Sequence, residues 1–467
     1  MADLESLYLR LPIPLQQLIC SLEGWRIQQR RFGRGFQEVL AEIESRAFWD
    51  PGRIAEYRDQ RLRSFIRHCV ETVPYYRRLF RELGASPDDI HSPADLQRLP
   101  ILSKQTVQDR REAFFSEAIR EHERVSTHTS GTTGAGLRFA STARAVQEQW
   151  AVWWRYRRWH GIQPGTWCGY FAGRSVVPAR QTRPPFWRYN YPGRQILFSG
   201  YHMSPSNLRA YIAELRRRQP PWLHGYPSLL ALLAAYLLDS RQELGYPLAW
   251  ITIASENLLD HQAALLERAF GVRPRQHYGM TEAVANISEC DQGRLHVDED
   301  FAAVEFVPNP DGLGWKIIGT NFTNSATALI RYDTKDFVTL SDQLCGCGRP
   351  GRVVECVDGR MEDYVVLKDG SRLGRMDHIF KDMENIREAQ IYQRLPGEFQ
   401  VRIVRGRNYS KQDELALLRE IRKRVGNGAE AFVEYVEQLD RSRTGKLRFV
   451  VSQLSSGQLE RVGDSGA

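Results

Sequence analysis

Two groups of residues in this 467-residue chain have types and spacing suited to chemistry. The first is a set of soft ligands. Cys290 is followed six residues on by His296, and Cys345 and Cys347 flank a single glycine. Three thiolates and an imidazole are the ligand set of a closed tetrahedral zinc site. Gly346 and Gly348 would let the backbone wrap the ion. Such a site leaves no position for water, so the spacing predicts a structural Zn2+ and not a catalytic one. The alternative is two buried cysteines and a turn pair. The second group is THTSGTTGAGLRF at 127–139. Ser130, Gly131, Thr132, Thr133 and Gly134 gather small side chains and many N–H and O–H donors in one loop, which suits a phosphate. The lysine that closes the usual phosphate loop is missing, and Leu137 and Arg138 stand after the last glycine.

Four further motifs follow that loop: YGMTE at 278–282, RYDTKD at 331–336, DGRMED at 358–363 and RTGK at 443–446. Each is weak alone. In this order the chain resembles the adenylate-forming enzymes, the superfamily of acyl-CoA synthetases, peptide-synthetase adenylation domains and luciferase. Within it, the chain is most similar to the phenylacetate–CoA ligase branch. LPIPLQQLICSLEGWR, VPYYRRLF and LPILSK carry a closer likeness to the CapK-type proteins associated with polysaccharide biosynthesis. The resemblance covers nearly the whole chain, and the phenylacetate–CoA ligase branch has a similar Cys/His set.

The resemblance implies ATP, Mg2+ and a small carboxylic acid. Joining the acid to the α-phosphate turns its oxygen into a good leaving group, AMP. The loop at 130–134 would hold the triphosphate. Thr281 would touch the α-phosphate and Glu282 the Mg2+. Tyr278 would stack near adenine, with Glu256 of ASEN flanking it. Asp336 would grip both ribose hydroxyls, since two acceptor oxygens fit a cis-diol. Arg360 would lie beside the ribose. Lys446 would reach the reacting carboxylate, where an ammonium stabilises charge that develops in the transition state. The resemblance therefore makes Lys446, Thr281 and Glu282 the catalytic residues. The chain departs from the family at Lys335, where glycine is usual, and at Glu362, where aspartate is usual. The acyl group would pass to CoA, to a carrier-protein thiol, or to an amine such as one on a glycan precursor. Two other readings stay open: a catalytically silent nucleotide-binding scaffold, and a protein that docks on a membrane or on a partner of a polysaccharide pathway.

The elements that must position these groups form an expected α/β fold. Residues 125–290 alternate strand and helix, which implies mainly parallel sheets flanked by helices. Polar residues gather after the strands, where open α/β sheets bind ligands. Short β segments from about 295 to 370 read as a β-rich subdomain, and a small mobile α+β domain follows. The expected boundaries are 1–358 for an N-terminal adenylation domain and 359–467 for a C-terminal lid. Within the first, 1–60 is a helical extension and 125–357 holds the nucleotide and acyl sites. Tyr170, Arg174, His202, His224 and Tyr226 are expected around the acyl pocket. That mix makes a polar or anionic acid as plausible as an aryl acid.

Composition sets the outer bounds. Hydrophobic residues are 42% and charged residues 26%, the balance of a globular protein. No apolar run approaches the ~20 residues of a membrane span, and the start has no secretory pattern. Seven cysteines, thinly spread apart from 345 and 347, point to a reducing cytoplasm. The net charge of +8 is carried by 56 arginines against eight lysines. WWRYRRWH at 153 and RRRQP at 216 raise nucleic acid as a partner, but arginine is spread along the whole chain, so none is expected. An anionic small substrate or an acidic membrane surface accounts for the bias equally, so peripheral membrane contact stays open. Oligomeric state is not legible.

Overall fold

The structure, a computed structural model, describes residues 7–128, 137–172, 176–256, 258, 260–308, 315–358, 365–369, 372–373, 376, 379, 383, 385–405, 409–426, 429–437, 439, 450–452 and 454.

Prolines punctuate the front of the chain. Helix α1 (Ile13–Phe32) starts behind Pro12, and α2 (Phe36–Ser45) follows a short turn. Asp50 caps α3 (Pro51–Thr72) by accepting the Arg53 N–H at 3.0 Å, and Pro51 sits where a missing N–H costs nothing. Pro74 ends that run and opens α4 (Pro74–Leu83). The stretch after Ser92, expected as a short helix, is a 3-10 turn over Pro93–Arg98, with Asp95 accepting from the His91 and Ser92 N–H groups. Helix α5 (Lys104–Asp109) then leads to the hairpin β1 (Val125–His128) and β2 (Arg138–Ser141). Among helices of the described residues, none is long and apolar enough to cross a membrane.

Helix α6 (Ala143–Trp159) precedes one large sheet. Its strands are β3 (Cys168–Ala172), β4 (Trp187–Asn190), β5 (Gln195–Ser199), β6 (Trp222–Gly225), β7 (Trp250–Ile253), β8 (Pro274–Gly279), β9 (Asn286–Glu289), β10 (Leu295–Val297), β11 (Ala303–Pro308), β12 (Trp315–Thr320), β13 (Tyr332–Leu340) and β14 (Val353–Asp358). The order is β11-β12-β13-β14-β10-β9-β8-β7-β6-β3-β5-β4. Only β5, β3, β6, β7 and β8 run parallel, and β4 closes that end antiparallel. The β-rich part is therefore not a separate sheet. It continues the parallel one through the antiparallel β8–β9 pair.

The parallel strands are buried because helices α7 (Pro205–Arg218), α8 (Pro227–Asp239) and α9 (Asp260–Phe270) cover them. Phe171, Phe198, Leu223, Ile251 and Ile253 share one core with Leu215, Leu230, Leu233 and Leu266. The antiparallel part curls back on itself. A side chain at Gly319 of β12 would place its Cβ 2.1 Å from the Val284 carbonyl oxygen, so only glycine lets the segment after β8 lie on β12.

The C-terminal part holds β15 (Val365–Val366), β16 (Arg372–Leu373), β17 (Ile386–Leu395), β18 (Glu398–Arg405), helix α10 (Lys411–Val425), β19 (Glu430–Tyr435) and β20 (Val450–Ser452). The four strands β19-β18-β17-β20 form their own sheet, and α10 packs Leu417, Ile421 and Val425 into its core.

Candidate active site and metal centre

The carboxyl ends of β7 and β8 carry the polar turns ASEN and MTE. Ile253 of β7 pairs with Gln276 of β8, so the turn that carries Glu256 leaves the sheet at the same edge as the end of β8. Beyond β8, Thr281 is exposed and Glu282 half-buried. The curl of the sheet brings a distant strand to this edge. The Tyr278 hydroxyl donates to Asp336 Oδ2 at 2.8 Å, joining residues 58 apart in sequence. Asn321, after β12, donates its side-chain amide to the Glu282 carbonyl at 3.3 Å. The sheet therefore brings Tyr278 and Asp336 together, with the turns that carry Glu256, Thr281 and Glu282 following strands β7 and β8.

The backbone there is strained. Ser255, Ala283 and Lys335 all have left-handed φ, at 70°, 57° and 65°, and they directly adjoin Glu256, Glu282 and Asp336. Such conformations cost about 1–3 kcal/mol each and persist where surrounding structure holds them. Lys335 shows how. Asp333 accepts its N–H at 2.9 Å and its ammonium at 2.6 Å, which ties the residue into the turn that a glycine adopts freely. The departure at 335 is thus a lysine held in a glycine's conformation, in an irregularity of β13 that also takes in Asp336.

Ser130, Gly131, Thr132, Thr133, Gly134, Arg174, Arg360, Glu362 and Lys446 lie outside the described residues. The hairpin β1–β2 pairs His128 with Arg138 on either side of the glycine-rich loop. The expected acyl-pocket residues separate. His202 is a core residue: its Nδ1 bonds the Ser199 hydroxyl at 2.8 Å, its Nε2 bonds the Pro178 carbonyl at 3.1 Å, and the ring stacks on Phe186. Burial pushes its pKa down to about 4. His224 bonds Thr252 at 2.7 Å and lies 5.2 Å from the Tyr170 ring.

The four soft ligands do converge. The facing atoms of Cys290, His296, Cys345 and Cys347 all lie within 4.8 Å of one another. The Cys290–Cys345 sulfurs are 3.8 Å apart, and Cys347 Sγ is 3.4 Å from His296 Nε2. Tetrahedral zinc with bonds of ~2.3 Å to sulfur and ~2.0 Å to nitrogen has edges of about 3.5–3.8 Å, so the set fits that ion. Backbone N–H groups of Arg294 and Arg349 point at the Cys290 and Cys347 sulfurs at 3.4 Å each, the outer-shell donors that orient ligating sulfurs. Gly351, at φ 99°, lets the following turn pass where a Cβ would sit 2.1 Å from the Val297 carbonyl. The cluster clips the β9–β10 hairpin to the loop between β13 and β14.

The arginine runs proved structural. Arg155 is buried and pairs with Asp298 at 2.7 Å and Asp300 at 2.8 Å, while Arg46 reaches Asp300 at 2.8 Å. Burial works to raise the Asp300 carboxyl, but the two guanidiniums outweigh it and hold it well below the usual range. Asp298 also accepts from Asn286 and Ser288 of β9, and Asn286 accepts from Trp153 of α6. This network ties α6 to the strand beside YGMTE. Arg157 is buried with its guanidinium 5.0 and 5.3 Å from the Trp154 and Trp222 rings, a cation–π setting. Arg158 pairs with Glu44. In the second run, Arg216 binds the Glu243 and Leu244 carbonyls and Arg217 pairs with Glu214. The acidic run HVDED, opposite WWRYRRWH, was the signal for the first pairing.

Comparison with known proteins agrees with this architecture. Residues 366–453 match the family described as the CapK C-terminal domain. Protein CapK of Staphylococcus aureus is 24% identical over 456 residues, covering 97% of this chain and all of that protein. A phenylacetate-coenzyme A ligase of Thermus thermophilus is 23% identical over 336 residues, covering 68% of this chain and 72% of that one. The solved structure of a 2-hydroxyisobutyryl-CoA ligase, in complex with an acyl-AMP, superposes with a TM-score of 0.55 at 17% identity, covering 90% of this chain and 93% of that one. That last likeness speaks for the fold. With the fold, the CapK-like length and the shared motif order together, the chain is similar to CapK and to the phenylacetate–CoA ligases, and it shares the fold of an acyl-CoA ligase.

Proposed function

We propose that the protein is an ATP-dependent ligase that activates a small carboxylic acid as its acyl-adenylate and transfers the acyl group to a thiol or amine. The observation that carries this reading is the 2.8 Å bond between Tyr278 and Asp336, which unites the two residues that the resemblance assigns to adenine and to ribose. Asp336 binds the ribose hydroxyls and Tyr278 orients its carboxylate. The Thr281 hydroxyl contacts the α-phosphate. Glu282 holds Mg2+, which supplies charge neutralisation on the phosphates. Glu256 flanks the purine. Lys446 and Arg360, on a C-terminal lid of residues 359–467, complete the site, the lysine holding the acid's carboxylate for in-line attack. Zn2+ in the Cys290, His296, Cys345 and Cys347 cluster is structural. The acceptor is CoA by the family's habit, with a carrier-protein thiol or a glycan-precursor amine as the alternatives.

The test is pyrophosphate release by the purified protein with ATP, Mg2+ and a panel of aryl, fatty, uronic, hydroxy and amino acids. At least one class should give acid-dependent release that Lys446→Ala abolishes while ATP affinity stays. Silence across the panel, or normal turnover in Lys446→Ala, would overturn the assignment and favour a nucleotide-binding scaffold.

A further inference from the structure

Helix α1 is amphipathic in reverse. Its polar side chains at 16, 17 and 21 face the protein. Gln16 is 1% exposed and its Oε1 accepts from the buried Arg188 at 2.9 Å. Gln17 forms a two-way bond with Tyr189 of β4, accepting its N–H at 2.8 Å and donating to its carbonyl at 2.5 Å. Ser21 donates to the same carbonyl at 3.2 Å. Gly24 lies so close to Asn190 that a Cβ would meet its side-chain oxygen at 1.9 Å. The edge strand of the great sheet is thus bonded by glutamine amides in place of a neighbouring strand, and α1 is fixed in one rotation about its axis.

That rotation turns the apolar residues outward. Leu15, Leu18, Ile19, Leu22 and Trp25 recur at helical spacing, and they are 46%, 55%, 37%, 55% and 55% exposed. They form one stripe about 15 Å long at 1.5 Å per residue. An ordinary surface helix buries such a stripe, and contiguous exposed apolar patches mark interaction surfaces. The rim is basic. Arg10, Arg26, Arg30 and Arg34 are exposed around it. Residues 7–35 carry five arginines and one glutamate, Glu23, which Arg26 engages at 3.5 Å. A second copy of this chain would bring two sets of arginines face to face, which charge repulsion opposes. A bilayer with anionic headgroups satisfies both features: the stripe enters the acyl boundary, Trp25 sits at the interface, and the arginines reach the headgroups.

We propose that α1 docks this protein on an anionic membrane surface, lying in its plane. The proposal needs neither nucleotide nor acid, so it stands or falls apart from the ligase assignment. The test is co-sedimentation of the full chain with vesicles of phosphatidylcholine alone and of phosphatidylcholine with one quarter phosphatidylglycerol. Wild type should bind the anionic vesicles more strongly than the neutral ones, and added salt should weaken that preference. Leu18→Glu with Leu22→Glu should lower partitioning roughly tenfold or more. Arg26→Glu with Arg30→Glu should remove the preference for anionic lipid. Both variants should keep the wild-type unfolding midpoint, since the substituted side chains contact solvent. Wild type left in the supernatant with anionic vesicles would overturn the proposal, as would equal sedimentation of wild type and the leucine variant. A dimer in solution that the leucine variant abolishes, without vesicle binding, would assign the stripe to a second copy instead.

Discussion

The two ends of the β9 hairpin are built on opposite plans. At one end, Cys290 and His296 meet Cys345 and Cys347 in a closed set, with backbone N–H groups turned toward the sulfurs. At the other, Tyr278 and Asp336 meet at an open edge, with the turns that carry Glu256, Thr281 and Glu282 following β7 and β8, and the backbone there is left-handed at Ser255, Ala283 and Lys335. Four residues of β9, about 13 Å at ~3.3 Å per residue, separate the two. One end uses its polar groups on each other. The other, where Tyr278 bonds Asp336, is the edge proposed for the nucleotide and is held in shape by its neighbours. The difference predicts that substitutions at the first end change stability, and those at the second change turnover.

The largest effect tests the closed end. Cys345→Ser with Cys347→Ser should cut bound zinc from one per chain to none by elemental analysis, and lower unfolding free energy by about 3 kcal/mol or more in denaturant titration. Activity per folded molecule should survive. Unchanged stability would show that the cluster is dispensable and dissolve the contrast. At the open end, Asp336→Ala should slow pyrophosphate release roughly 100-fold, about 2.7 kcal/mol of transition-state stabilisation. Its unfolding midpoint should stay within about 0.5 kcal/mol of wild type. A large stability loss with little change in rate would reverse the roles.

Acid sensitivity sharpens the comparison from outside both ends. His202 is held neutral by burial, with its pKa lowered from 6.5 to about 4. The unfolded chain therefore binds a proton that the folded chain refuses. This contribution is intact above pH 6.5 and declines as pH falls toward about 4, by roughly 1 kcal/mol per unit. His202→Gln should flatten the slope of stability against pH in that window. A slope unchanged by the substitution would place the acid sensitivity elsewhere. The smallest effect is at Lys335. Replacing it with glycine relieves the left-handed strain and loses a half-exposed ion pair to Asp333, so Lys335→Gly should stabilise by about 0.5 kcal/mol. Destabilisation would mean that the Asp333 tether outweighs the backbone cost.

The closed end was legible from spacing because ligand chemistry demands particular residue types, and two short Cys/His pairs display them. The open edge was legible only through the order of motifs. Nothing local in YGMTE or RYDTKD says that their side chains meet, and the Tyr278–Asp336 bond depends on a curl made by the three strands that lie between β8 and β13 in the sheet. Strand β4 escaped notice because WRYN is too short and too polar to show a strand period, and half of its definition comes from Gln17. The Arg46–Asp300–Arg155 network joins residues 254 and 145 positions apart, where charge runs look like solvated surface until the fold closes. The alternation of strands and helices over 125–290 predicted the parallel sheet well. It did not reveal that the antiparallel strands continue it, since a hairpin from a parallel edge has no distinct sequence period.

The bare backbone contact between Gly319 and the Val284 carbonyl sets which substitutions this part of the fold can accept. The segment bearing Thr281 and Glu282 is seated by main chain on main chain, so its height above the sheet does not depend on which side chains surround it. The same seat has one point of failure, because a single added methyl at 319 would lift the segment and tilt both functional side chains together.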